Sequence, residues 1–324
     1  MRYDFVAIGD ITTDCFIKLR EAEELTSHGV VELCMPFGTK LEYESATEVW
    51  GTGNASNAAL CVAKLGFSAA LVSSVGDDDN GKKILESLRS RGVATDYLTV
   101  HKNMKTNYYY ILQHGAERTI LLKHQPYPKT IPTFSEQPEW LYFSSAGDDA
   151  FQNSVGRYCK DHGIKLAFQP NTDQIQAGYE RLKDVYAATE VFICNKEEAQ
   201  QIVGTQEADM KKLLTAIRAL GPKIAVITDG VNGASIQTDA GSSHVPMYPD
   251  PAPPVSRTGA GDVSASTTVA YIGKGLAPQE ALMRGMINAA AGVQAIHAQL
   301  GTLTPDEIEA WYGKRPSEFA PQAL

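Results

Sequence analysis

Positive charge is in short supply in this chain. Its 29 lysines and arginines are outnumbered by 38 aspartates and glutamates, for a net charge of −9. That balance excludes a general nucleic-acid surface, but not a local phosphate site built from backbone N–H groups. Cysteines number only five (Cys15, Cys34, Cys61, Cys159 and Cys194), and no two form a C-x-x-C pair. Their scatter argues against zinc and against a disulfide framework, and fits a reducing, cytoplasmic setting. Long apolar runs are missing as well. Residues 1–10 enter a strand pattern directly, with no small-residue cleavage site, so neither a signal peptide nor a membrane span is expected. The seven histidines have no metal-ligand spacing and no Ser/His/Asp arrangement, so none is expected to be catalytic. Repeats and low-complexity segments are absent.

What is there is alternation. Short apolar runs at 5–8, 69–75, 141–144, 166–168, 191–194 and 224–228 read as buried strands. Helical patterns at 54–65, 81–91, 150–160, 180–187 and 210–220 separate most of them, and Gly66 and Gly92 stop the first two. The pattern predicts an α/β fold, an open, mostly parallel β-sheet with helices on both faces. Two stretches break the rhythm. One, 30–49, holds strand candidates 31–35 and 40–44 around a Pro-Phe-Gly turn; the other, 99–124, holds 107–112 and 119–122 around Gly115. Both read as hairpins that join as one small β-sheet lid. Residues 1–324 then form a single domain with a lid made by about 16–49 and 99–124, and the tail 316–324 is loosely held.

The segment Thr258-Gly259-Ala260-Gly261-Asp262 opens a small-residue helix that ends at Gly273-Lys274-Gly275. Glycine is a poor helix former, so two of them in a first turn need a reason. Bare N–H groups at a helix start can approach an anion, and the adjacent Asp262 could take a proton from a nucleophile. A plain glycine turn with a first-turn acid explains the segment equally well.

Other segments carry weaker signals. Gly51-Thr52-Gly53-Asn54-Ala55-Ser56 begins like a dinucleotide fingerprint but lacks the third glycine. Gly53 lets backbone approach a ligand, and the Asn57 amide can serve hydroxyls; an ordinary helix start fits too. Asp14 follows the first strand, where sugar hydroxyls or a turn could use it. Asp77-Asp78-Asp79-Asn80-Gly81 fails the EF-hand spacing and reads as a turn and helix cap. Asn195 and Glu198 fall on one helix face and could hold waters around Mg²⁺, or form a capping box, or both. Thr228-Asp229-Gly230-Val231-Asn232-Gly233 suits a nucleotide-side turn or a hairpin turn.

In this order, the pieces resemble the ribokinase-like carbohydrate kinase family, the phosphofructokinase B type, over nearly the whole chain. The resemblance implies ATP-dependent phosphorylation of a hydroxyl on a sugar or sugar derivative. It makes Asp262 the base, and Gly259, Ala260 and Gly261 the anion hole. Asp14, Gly53 and Asn57 become substrate-side positions, and Asn195 and Glu198 the magnesium-associated pair. Thr228, Gly230, Gly233 and Thr258 fall on the nucleotide side, and Asn288, in an expected helix 281–299, matches an adenine-side position. A homodimer joined through the lid is implied, with no nucleic-acid or membrane partner.

Four departures stand out. Ser256-Arg257 replaces a common Asp-Thr, which counts against potassium activation. Thr52 replaces the first glycine of a usual pair, Gln169 replaces a frequent Asp, and Ser264 replaces a common Phe. A nucleoside kinase of the same family and a non-catalytic sugar-binding regulatory protein on this fold are the competing readings. A dinucleotide-dependent oxidoreductase is more distant.

Overall fold

The computed structural model describes residues 2–115, 117–145 and 147–324. Its large sheet is built around Phe5–Ile8, which pairs in parallel with Ala69–Gly76 on one side and Trp140–Phe143 on the other. Lys165–Phe168, Thr189–Asn195 and Ile224–Thr228 follow outward, all parallel. Strands this continuously apolar are buried on both faces, and consecutive side chains point to opposite sides. Phe5 and Ala7 accordingly belong to one core, and Val6 and Ile8 to the other. The first core is closed by helices Asn54–Lys64, Ala260–Gly273 and Pro278–Gly292, the second by Asp149–His162, Lys183–Ala188 and Met210–Ala219.

Beyond Ile224–Thr228 the sheet turns antiparallel. Ala234–Thr238, Gly241–Val245 and finally Gln322–Ala323 extend it, the first two not having been anticipated as strands. The last pairing corrects the expectation of a loose tail. Phe319 is 1% exposed and meets the Tyr248 ring edge-on at 5.0 Å, so an aromatic anchor and a sheet edge hold the C-terminal residues.

The smaller sheet runs Glu117–Leu121, Tyr108–His114, Thr12–Leu19, Tyr43–Thr52. The hairpin expected around Gly115 is present. The one expected between 31–35 and 40–44 is not. Val30–Cys34 pairs instead with Glu23–Ser27 around His28-Gly29, where both residues have positive φ and make the tight turn. Tyr43–Thr52 pairs with Thr12–Leu19, a strand that the sequence pattern did not single out. Two helix expectations also change. The stretch 180–187 divides into a short 3₁₀ turn, Tyr179–Arg181, and Lys183–Ala188, while the helix placed at 281–299 is Pro278–Gly292, followed by a separate turn Ala298–Gly301.

Candidate active site

Functional side chains gather at the carboxyl edge of the large sheet, where open α/β sheets form their crevice. Gln169 follows Lys165–Phe168, while Asn195 and Thr228 end their strands. Asp14 arrives on Thr12–Leu19, Asn57 on the first helix and Asp262 in the first turn of Ala260–Gly273. They border a cleft of about 860 Å³.

Asp262 lies at its base, 8% exposed. Its Oδ2 accepts a hydrogen bond from Asn57 Nδ2 at 2.6 Å, and its Oδ1 accepts one from Gln169 Nε2 at 3.0 Å. Gln169 is fixed in turn by the buried Tyr142 hydroxyl, which donates to its Oε1. Burial pushes the Asp262 carboxyl above the usual carboxylate range, and the two amide donors oppose that shift. Each donor to an ionised carboxylate contributes about 1.5–3 kcal/mol. The result is an oriented carboxylate that is more basic than one in water.

The helix start beside it is open to an anion. Gly259 caps the helix with φ 82°, and a Cβ there would lie 2.8 Å from His297 Cε1, so glycine is needed on both counts. A Cβ on Gly261 would meet nothing within 4 Å. The N–H groups of Gly261 and Asp262 have no acceptor among the described residues. His297, set aside with the other histidines in the sequence, thus forms the backing of this turn. Burial, then the charges of Arg91 and Arg118, hold its ring pKa down to about 3, so it is neutral.

Asp14 and Asn57 present polar atoms with nothing to bind. Asp14 Oδ1 and Asn57 Oδ1 are buried and lack partners among the described residues. Burial pushes the Asp14 carboxyl up to about 7, with the Asp262 charge adding to the shift. Gly53, at φ 111°, passes so close to Asp10 that a Cβ would sit 2.6 Å from its carbonyl oxygen. This contact seats the helix carrying Asn57 against the loop leading to Asp14.

Asn195 and Glu198 border the same cleft and form a capping box, Asn195 Oδ1 accepting the Glu198 N–H and Glu198 Oε2 accepting the Asn195 N–H, both at 2.8 Å. Burial raises the Glu198 carboxyl, as does the Asp262 charge. Its second oxygen has no hydrogen bond among the described residues. No group of three or more ligating side chains occurs among those residues. One partly buried carboxylate and an amide oxygen suit Mg²⁺, a hard cation that keeps several waters and is completed by phosphate oxygens.

Thr228, Gly230, Thr258 and Gly259 also reach the cleft. Gly233 and Ala260 border a smaller neighbouring cavity of about 130 Å³, with apolar walls that include Met247, Met286 and Val293. Asn288 borders neither, a correction to its expected place beside the nucleotide. It is 0% exposed, its Nδ2 donates to Thr267 Oγ1 at 2.8 Å, and its Oδ1 accepts the Leu303 N–H at 2.7 Å. Both ends of the amide are spent inside the core. Thr52 is structural too, its hydroxyl donating to the Thr12 carbonyl at 3.2 Å. Tyr109 and Ile111, which wall the cleft from the small sheet, and Arg257 were not among the expected site residues. Period-2 alternation along Tyr108–His114 was the available signal for the first two.

Comparisons with known proteins identify the family and the fold. The family model "pfkB family carbohydrate kinase" matches residues 29–305. The chain is 25% identical to the ribokinase of Bacillus subtilis over 264 residues, covering 79% of this chain and 86% of that one. Its fold matches the structure of Arabidopsis thaliana ribokinase complexed with ribose and ATP, with a TM-score of 0.79, 18% identity and coverage of 96% and 98%. The nucleoside kinase of Methanocaldococcus jannaschii matches with a TM-score of 0.77, 20% identity and coverage of 97% and 99%. The chain belongs to the pfkB family of carbohydrate kinases. It is a ribokinase-like phosphotransferase with an alcohol group as acceptor.

Proposed function

We propose that the chain transfers the γ-phosphoryl group of ATP to a hydroxyl of a sugar or sugar derivative, with Asp262 as the base. The observation that carries this reading is the Asp262 carboxylate, held by two amide donors next to unpaired helix-start N–H groups. A substrate hydroxyl over Asp262 loses its proton to a free lone pair of that carboxylate as its oxygen bonds to phosphorus and the bridging P–O bond breaks. The N–H groups of Gly261 and Asp262 receive the developing charge on the transferred group, with Gly259 and Ala260 shaping the turn. Asp14 and Asn57 accept from other substrate hydroxyls, and Gly53 keeps that wall in place. On the nucleotide side stand Thr228, Gly230, Gly233 and Thr258. Asn195 and Glu198 hold the water shell of Mg²⁺, which when bound supplies charge neutralisation at the phosphates.

Strands Thr12–Leu19, Tyr43–Thr52, Tyr108–His114 and Glu117–Leu121 serve as the lid in this reading. Tyr110 and Leu121 pair across two of its strands and stay 46% and 50% exposed, and Phe37, in the segment between Val30–Cys34 and Tyr43–Thr52, is fully exposed. An apolar surface of this kind suits a second copy of the same chain, giving a homodimer through the lid. No helix among the described residues is long and apolar enough to cross a membrane. Five free cysteines support a cytoplasmic location. A screen of ATP consumption over sugars, phosphosugars, sugar acids and nucleosides tests the reading. Turnover on one sugar class supports it, turnover on nucleosides alone favours a nucleoside kinase, and none on any class favours a regulatory protein.

A further inference from the structure

Arg257 is one of the residues at which this chain departs from the pattern of its family, and its surroundings give it a task. The backbone around it is fixed. Ser256 Oγ accepts the Thr258 N–H at 3.2 Å and donates to Thr258 Oγ1 at 3.1 Å, while the Arg257 carbonyl accepts the Ala260 N–H at 3.3 Å. Ser256 stands where an acid is common, so no carboxylate at the adjacent position competes for the guanidinium. Arg257 is half-buried, yet its side chain makes no hydrogen bond and no ion pair among the described residues. Other arginines as sheltered as this one are spoken for: Arg284 is held by Glu280 and Glu309, and Arg91 by the Gln299 carbonyl. A sheltered guanidinium without a partner is costly unless an anion visits it.

Its position identifies that anion. Arg257 borders both cavities, the 860 Å³ cleft that holds Asp262 and the 130 Å³ apolar cavity beside it. The two share only Thr228, Gly230, Gly261 and Arg257, which therefore form the neck between them. The other ionisable groups near the neck are mostly acids, Asp262, Glu197 and Glu198 on the cleft side and Asp250 on the other. Arg118 is the other arginine on the cleft, and it comes from the small sheet. A nucleotide with its base among Met247, Met286 and Val293 and its terminal phosphate at Gly261 would thread its phosphate chain through this neck.

We infer that Arg257 grips the polyphosphate of the bound nucleotide at the neck, a role that rests on the kinase reading. The guanidinium matches phosphate oxygens with two parallel N–H donors, and it supplies positive charge in an acid-rich site. Its contribution is made to the phosphates and not to the nucleoside. Calorimetric titration of adenosine, ADP and a non-hydrolysable ATP analogue with Mg²⁺ into wild type, Arg257→Gln and Arg257→Lys tests this. Wild type is expected to bind the two phosphorylated ligands more tightly than adenosine. Arg257→Gln should lose about 10- to 100-fold in affinity for ADP and the analogue and nothing for adenosine. Arg257→Lys, which keeps the charge but not the fork, should fall between the two. Unchanged affinity of Arg257→Gln for the analogue overturns the inference. An equal loss for all three ligands, with melting temperature unchanged, also overturns it, because the residue would then shape the pocket. A folded wild type that binds none of the three removes the kinase reading and this inference with it.

Discussion

Asn57 and Asp262 are 205 residues apart in the chain, and a 2.6 Å hydrogen bond joins them at the base of the cleft. The bond ties the first helix to the helix that the glycine-rich turn opens. Asn57 keeps its Oδ1 free for a ligand while its amide N–H orients the base. Under the proposed function, one residue thereby relates substrate position to proton acceptor.

Gln169 provides the other half of that arrangement and can be tested apart from substrate contact. Gln169→Leu removes the donor to Asp262 Oδ1 and leaves the carboxylate with one partner. The donor favours the ionised form, so its loss raises the Asp262 pKa. The acid limb of kcat/KM is expected to move up by about one pH unit, with a loss of about tenfold at low pH that shrinks as pH rises. An acid limb that stays in place would separate Gln169 from the base.

Asp14 predicts a pH-dependent stability. Its carboxyl titrates at about 7 in the folded protein, against about 3.9 for an unfolded aspartate. Between those values the folded state binds more protons, so the stability it contributes is fully present below the lower value and is lost as pH rises through the higher one. Asp14→Asn removes that slope. The melting temperature of the variant relative to wild type should rise from pH 4 to pH 8, by the equivalent of up to about 4 kcal/mol. A gap that does not change with pH contradicts the burial argument.

Glu198 predicts a metal dependence. Chelation of divalent ions is expected to abolish turnover, and Glu198→Gln to raise the Mg²⁺ concentration at half-maximal rate by about tenfold or more. Its capping bond to the Asn195 N–H can be kept by the amide oxygen, so the helix should survive. Full activity after chelation removes the Mg²⁺ role of both residues.

The proposed dimer is read by sedimentation. Wild type should sediment as a dimer and Tyr110→Glu as a monomer, because a charge would be placed in the apolar surface opposed to the partner. A wild-type monomer at working concentration contradicts the lid interface.

Six parallel strands, from Phe5–Ile8 to Ile224–Thr228, were legible because each is a short, nearly uninterrupted apolar run; Val93–Ala94 and Leu98–His101, which also pair in parallel with Ala69–Gly76, were not. The antiparallel extension was not. Ala234–Thr238 and Gly241–Val245 mix Ser, Gln, Thr and His with few apolar residues, as suits strands near a sheet edge. Pairing of Thr12–Leu19 with Tyr43–Thr52 is a long-range choice that the intervening turn residues do not encode. In the site, glycines and acids announced themselves by type and spacing. Gln169 was visible only as a departure from a family pattern, because its bonds to Tyr142 and Asp262 exist only after folding. Asn288 was misplaced because nothing in its helix distinguishes an asparagine facing a ligand from one whose amide serves the core.

The most direct measurement of the account is single-turnover phosphoryl transfer by Asp262→Asn on the substrate found in the screen, alongside calorimetric binding of the ATP analogue. Proton acceptance at Asp262 predicts a loss of roughly two to four orders of magnitude in rate, with nucleotide binding and melting temperature close to wild type. Near-normal transfer by that variant would contradict it.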